Sequence, residues 1–400
     1  MTEATERLRP SNAAATRLVA SISAAHFVSH YYILLLPPLF EIVRADYAVS
    51  YTELGLALTI FNVVSAVLQT PAGFLVDRFG ARPLLIGGML LGAGAFVIAG
   101  VVHSFWVLLA MFAAAGLGNT VYHPADYSIL SHHVPPERAA KAFSIHTFAG
   151  MLGSAAAPST LLLMQSQWGW RGAFIGAGIL GFIVALVLIV QGEEPPVVAD
   201  RKPAEQATQR SGLGLLMSKP ILLNLVFFIM LALISGGLQN YSIVTLSALH
   251  NTPAKTASIA LTGYLALSAI GVLAGGYLAG RTTRHGAVAA AGLVMMTVLA
   301  AVLVFNMSDA LLIAVMSVGG LFNGIIMPSR DMIVRSVTPP GSFGKVFGFV
   351  TNGFNLGGIV APIIFGLALD HGAPQWVFLM VAAFCLLTIF TVAGSTRKPA

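Results

Sequence analysis

Residues Gly116–Pro136 read GLGNTVYHPADYSILSHHVPP, and Gly320–Pro340 read GLFNGIIMPSRDMIVRSVTPP. One constant offset, from 116 to 320, lays Gly116 on Gly320, Leu117 on Leu321, Asn119 on Asn323, Pro124 on Pro328 and Pro135-Pro136 on Pro339-Pro340. The same register continues through Lys141 and Lys345, Phe143 and Phe347, Thr147 and Thr351, Gly153 and Gly357, Pro158 and Pro362, and Phe174 and Phe378. An unbroken register over roughly 60 residues marks an internal duplication, with roughly 200 residues per copy.

Composition sets the medium in which the two copies fold. Hydrophobic residues make up 57% of the chain and charged residues 9%, with a mean hydropathy of +0.85. A soluble domain carries about 25% charged residues, so this chain is built for lipid. The single cysteine, Cys385, excludes an internal disulfide or a thiolate metal site. The net charge of +6 does not point to nucleic acid, because the basic residues lie in short loops between apolar runs.

A bilayer-spanning helix needs about 20 apolar residues. The first copy supplies such runs at Leu18–Phe40, Thr52–Phe74, Pro83–Val102, Phe105–Leu130, Ala139–Met164 and Gly172–Val190. The second supplies Ile221–Leu246, Thr256–Gly280, Ala287–Phe305, Ala310–Val334, Gly344–Leu369 and Trp376–Val392. The expected fold is an all-α integral membrane protein of twelve transmembrane helices in two pseudo-symmetric six-helix bundles. The expected division is residues 1–190, a cytoplasmic linker at 191–219 closing with a surface helix at Leu213–Ser218, and residues 220–400. Of the 21 lysines and arginines, only Arg44, Arg171 and Lys255 fall on the side opposite the termini. Under the positive-inside rule both termini are then cytoplasmic, and the expected location is the cytoplasmic (inner) membrane. The stretch Met1–Arg17 holds no apolar run, so no cleaved signal peptide is expected.

Polar residues at membrane depth must face protein or water. In the first span Ser23, His26 and His30 share a helix face, and in the second Asn62, Ser65 and Gln69 do so. Helix-to-helix hydrogen bonding accounts for serine and asparagine at such sites. Histidines cost more to bury and titrate near neutral pH, so His26 and His30 are candidates for a cavity. The fourth span places Asn119, Tyr122 or His123, and Asp126 on one face. Asp126 either takes up protons or ties its helix to Lys141 or His146 in the next span. The duplication sets Asp126 opposite Arg330, which predicts either an acid–base pair between the copies or, for Arg330, a phospholipid headgroup or an acid of its own half. Gln239 and Asn240 follow Gly236-Gly237, where a polar bend would line a cavity. Asn323 repeats Asn119, and Asn352 and Asn355 stand one turn apart.

The turn after the second span reads GFLVDRFGAR, Gly73 to Arg82. It resembles the signature loop of the major facilitator superfamily, with Gly73, Leu75, Asp77, Arg78, Gly80 and Arg82 in matching positions. Glycines permit a tight turn, the aspartate suits a helix N-terminus, and the arginines can pair across the cytoplasmic face. The second copy keeps Gly276, Leu278 and Arg281 but has Gly280 in place of the aspartate. The resemblance implies alternating access to a midplane site by two halves related by an axis along the membrane normal. The motifs YHPAD, HFVSH and LLPPL resemble the branch around fosmidomycin resistance proteins, which are drug exporters. His30 stands where that branch has an aspartate. The arginine typical of the fourth span in drug–proton antiporters falls at Phe112 and is absent. Gly150, Gly153, Ala157 and Pro158 resemble the glycine–proline bend of antiporters, and close packing through small residues is the alternative reading.

No GxxxxGK loop is present, and His123-x-x-Asp126 does not have the setting of a metal motif. No cofactor, catalytic residue or metal ligand is therefore expected. An intramembrane enzyme should cluster reactive side chains on one face, and a sensor should carry an appended soluble domain. The expectation is a monomeric, proton-coupled secondary transporter exporting a drug-like or organic-acid molecule, with organic-anion uptake as the alternative.

Overall fold

A computed structural model describes residues 12–134, 136–192, 212–339 and 343–395. The described chain is helical throughout. In order it forms α1 (Asn12–Ile33), a 3-10 turn (Pro37–Leu39), α2 (Phe40–Tyr47), α3 (Tyr51–Phe79), α4 (Ala81–Val101), α5 (Phe105–Asn119), α6 (Tyr122–His133) and α7 (Pro136–Gln191). There follow α8 (Gly212–Leu216), α9 (Lys219–Ser235), a π-helical turn (Gly236–Asn240), α10 (Ser242–His250), α11 (Ala254–Ala279), α12 (His285–Val302), α13 (Asp309–Val337), α14 (Phe343–Asp370) and α15 (Gln375–Ser395). Among the described residues, eleven segments are long and apolar enough to cross a bilayer. One of them, Lys141–Gln191, holds two expected spans that meet at Gly169, where φ 70° and ψ 171° break the helix. Twelve spans result, as the hydropathy predicts.

Local sequence explains the helix starts. Ser50 and Glu53 form a reciprocal capping box at the head of α3: the Ser50 N–H donates to Glu53 Oε2 at 2.7 Å, and the Glu53 N–H donates to Ser50 Oγ at 3.1 Å. Ser104 and Ser308, which the repeat register superposes, cap α5 and α13 by accepting from Val107 N and Leu311 N. The duplication therefore extends to the caps.

The fourth expected span, Phe105–Leu130, is not one helix. It breaks between α5 and α6 at Thr120, whose hydroxyl donates to the Leu117 carbonyl at 2.7 Å. Pro124 lacks an N–H and would clash with the Thr120 carbonyl, so the turn opens there. Its repeat, Pro328, lies inside an unbroken α13. The residue four before it is Gly324, which has no hydroxyl to turn back on the chain. The seventh span is interrupted too, by the π turn at the anticipated polar bend.

Packing groups the chain into two compact units, Met1–Leu35 with Val63–Ala204, and Leu36–Asn62 with Glu205–Ala400. This grouping and the division by repeat differ over Leu36–Asn62. That segment is held in the second unit by its own polar contacts. Asp370 at the end of α14 accepts the N–H groups of Tyr51 and Thr52 at 2.7 and 2.9 Å, capping the start of α3. Farther along, Thr59 Oγ1 donates to the Ile359 carbonyl. Of the expected linker, residues 193–211 lie outside the described residues, and α8 falls where the surface helix is expected.

In the first unit α1 packs closely on α7. A Cβ on Gly153 would stand 2.1 Å from the Phe27 carbonyl oxygen, and one on Gly150 would stand 2.5 Å from the His26 ring. Close packing through small residues is thus what these glycines do. Phe74, Leu163, Val190 and Phe390 stay exposed, as a lipid-facing surface requires.

Candidate functional site

Three helices of the first unit bring four imidazoles and one carboxylate together. α1 presents His26 and His30 one turn apart, α6 presents His123 and Asp126, and α7 presents His146. Asp126 and His146 are fully buried, and His26 is 4% exposed. Asp126 Oδ2 lies 3.5 Å from His26 Nδ1 and 3.7 Å from His146 Nε2. The His26 ring stacks on His146 at 3.9 Å between centroids and meets His30 and His123 edge-on at 4.6 and 5.3 Å. His30 Nδ1 reaches Ser154 Oγ at 3.3 Å. His123 is exposed, so the cluster runs from an open face into the core of the unit.

These contacts leave the cluster unsatisfied. Both carboxylate oxygens of Asp126, both ring nitrogens of His146 and Nδ1 of His26 have no hydrogen-bond partner among the described residues. A buried polar atom without a partner costs about 1–3 kcal/mol, so the arrangement is costly for stability and calls for something that occupies it. Gly150 makes it sterically possible, since only a residue without Cβ leaves room beside the His26 and His30 rings.

The other expected site residues have local partners. Asn119 Nδ2 donates to Ser65 Oγ at 3.4 Å, and Ser65 donates on to the Gly116 carbonyl. Asn323 makes the repeated bond to Ser268 Oγ at 3.0 Å. Tyr122 is buried with its hydroxyl toward Met89 Sδ. Gln239 and Asn240 are half-buried in the π turn, and Asn355 donates to Asn352 Oδ1 at 3.1 Å. Arg330 pairs with its neighbour Asp331 at 2.8 Å and lies over the rings of Phe228 and Phe354 at 4.8 and 5.4 Å. Arg330 thus has its partner within its own unit, and of the two alternatives for Asp126 it is His146 that lies beside it.

In the loop from Gly73, the Asp77 backbone is in the last turn of α3, and its side chain lies outside the described residues. Gly80 has φ 90°, a backbone region that favours glycine and ends the helix. Arg78 is exposed and lies over the Phe79 ring, while Arg82 donates to the Leu188 carbonyl at the end of α7. The sequence did not single out Tyr31, Tyr32 or Asp370. Tyr31 bonds Thr160 at 2.9 Å, and Tyr32 donates to the Ala177 carbonyl. The signal for Asp370 is an acid placed at the end of an apolar span.

A family model described as the Major Facilitator Superfamily matches residues 22–253 and 225–400. The chain belongs to the Major Facilitator Superfamily. It is thus a multi-pass membrane protein of a transporter family. A "Probable L-galactonate transporter" of Escherichia coli (strain K12) is 28% identical over 144 residues, 36% of this chain and 32% of that protein. "Multidrug resistance protein MdtH" of Klebsiella pneumoniae subsp. pneumoniae is 31% identical over 133 residues, 33% of this chain and 29% of that protein. The matched stretch therefore spans about a third of these curated relatives. Among solved structures, a bacterial homolog of the human lysosomal transporter Spinster, described as inward-facing and occupied, superposes with a TM-score of 0.76. It covers 98% of this chain and 100% of its own at 16% identity. The nucleoside transporter NupG gives 0.77, covering 95% and 100%, also at 16% identity. At that identity the likeness concerns the fold of this chain and nothing finer.

Proposed function

We propose that this transporter is a proton-coupled secondary carrier of a small organic molecule, with Asp126 and its histidines as the coupling site. The observation that carries the reading is a buried carboxylate beside two imidazoles, with both Asp126 oxygens, both His146 nitrogens and His26 Nδ1 lacking a hydrogen-bond partner among the described residues. Such groups exchange protons, and ionisable residues kept in a membrane span mark ion pathways. Exposed His123 supplies the end of that path. Transport runs by alternating access, with the Gly73–Arg82 loop as the gating element and both termini in the cytoplasm, as the distribution of basic residues favours. Export of a drug-like or organic-acid compound is the first reading, in keeping with the names of the relatives. The half-buried Arg330, flanked by two aromatic faces, favours uptake of an organic anion as the second.

Purified protein in liposomes loaded with a pH-sensitive dye tests both. L-galactonate serves as the probe for organic acids and ethidium as the probe for drug-like cations. A pH gradient should drive accumulation of one probe, and Asp126→Asn should abolish it while leaving probe binding measurable. An Asp126→Asn protein that still concentrates the probe against its gradient ends the coupling reading.

A further inference from the structure

We propose that His26, Asp126 and His146 form a binding site for a divalent late first-row cation of the Zn²⁺, Co²⁺ and Ni²⁺ class. The three residues each offer one ligand atom, and these atoms all lie within 4.8 Å of one another. Their spacing is informative. At 3.5 and 3.7 Å the nitrogen–oxygen separations are too long for a charge-assisted hydrogen bond, which closes to about 2.7–2.9 Å. Two ligands held about 2.1 Å from one tetrahedral ion stand about 3.4 Å apart. The carboxylate therefore stands too far from either imidazole for direct pairing, and at the separation from each that two ligands of one ion keep.

The donor set selects the class. Two imidazoles with one carboxylate suit zinc, cobalt or nickel, whereas calcium and magnesium prefer oxygen shells. The same donor atoms are the buried, unpartnered ones, on residues 0–4% exposed. Two further histidines border the site. His30 stands against His26 and is itself anchored on Ser154, and exposed His123 opens the way in. Three ligands leave a fourth position free for water, His30 or a substrate donor. The ligands are far apart along the chain and sit on three different helices, so no local motif announces them.

The proposal shares residues with the coupling site but needs neither flux nor an organic substrate. Its test uses the full chain in detergent, free of any histidine tag and stripped with a chelator. Titration with Co²⁺ alone should give one equivalent with the intense visible absorption of four- or five-coordinate cobalt, displaced by Zn²⁺ and not by Mg²⁺. Asp126→Asn and His146→Asn should each weaken binding more than about 100-fold, beyond the loss that outer-shell partners cause. His371→Ala, at an exposed helix end, should bind as the wild type does. Should the variants fold poorly, Zn²⁺ should still raise the wild-type unfolding midpoint saturably while Mg²⁺ leaves it unchanged. Absence of cobalt binding by the wild type, an octahedral cobalt spectrum, or equal loss in His371→Ala overturns the proposal. Cobalt binding lost in Asp126→Asn while proton-driven flux persists removes the coupling reading and keeps the cation site. The reverse result removes the cation site alone.

Discussion

The two copies of the repeat share their scaffold and differ in what that scaffold encloses. In both, a glycine admits the carbonyl of a neighbouring helix: Gly153 meets Phe27 and Gly357 meets Ile229, where an added Cβ would stand 2.1 and 2.6 Å from the oxygen. In both, an asparagine donates to a serine on an adjacent span, Asn119 to Ser65 and Asn323 to Ser268. The interiors then part company. His146 of the first copy is fully buried against Asp126, whereas its counterpart Val350 sits in an apolar core with Ile221, Phe228, Val334 and Val346. His123 becomes Met327 and Asp126 becomes Arg330. One unit carries a costly buried polar centre; the other has an apolar core there, with the paired Arg330 lying over its Phe228 ring. The duplication preserved the contacts that hold helices together and left the enclosed chemistry free to diverge.

The shared scaffold should be the most sensitive to change. Gly153→Ala should lower stability by about 3 kcal/mol, the upper end of overpacking, because the atom in the way is backbone and cannot move aside. Gly357→Ala should cost less, since its contact is longer. Thermal unfolding of the purified variants measures both, and a stable Gly153→Ala would mean the helices separate readily.

The divergent interiors predict opposite signs for exchanged residues. Val350→His should destabilise by about 2 kcal/mol, because it places an imidazole among apolar side chains with no partner. His146→Val should leave stability unchanged or raise it, since it removes an orphaned polar group, while losing cobalt binding and pH-driven flux. Equal destabilisation by the two exchanges would show that the histidine cluster is ordinary packing.

The smallest expected effect belongs to the shared hydrogen bonds. Asn323→Ala and Asn119→Ala should each cost about 0.6 kcal/mol, the mean for polar contacts between membrane helices. The Asn323 variant should lose more, because its bond is shorter and the residue more buried. Denaturant titration of the paired variants is the measurement, and a reversed order would mean that burial does not set the strength of this bond.

Much of the architecture is legible in the order of the amino acids. Hydropathy places twelve spans, because lipid demands a continuous apolar run at each crossing and the spans carry few charges. The register of the repeat relates the caps Ser104 and Ser308 and the packing glycines, because each serves a local backbone need that one copy shares with the other. Candidate residues of the first unit are legible singly, since a histidine or aspartate in an apolar span stands out by its cost.

What the sequence could not supply was company. It did not show that Pro124 breaks its helix while Pro328 does not, which turns on the Thr120 hydroxyl against the bare Gly324. Nor did it show that Asp370 caps the start of α3, a bond between segments at opposite ends of the chain. Above all, His26, Asp126 and His146 stand on three helices, and their helical spacing fixes only the face each one occupies. Their convergence within 4.8 Å depends on how closely α1 approaches α7, and Gly150 and Gly153 set that distance. The medium and the spans can be read from residue order, because they follow from the solvation of each segment taken alone, and the repeat from comparing one copy with the other. Which buried polar groups meet, and which are left without partners, emerges only on packing, because it depends on the separation between helices.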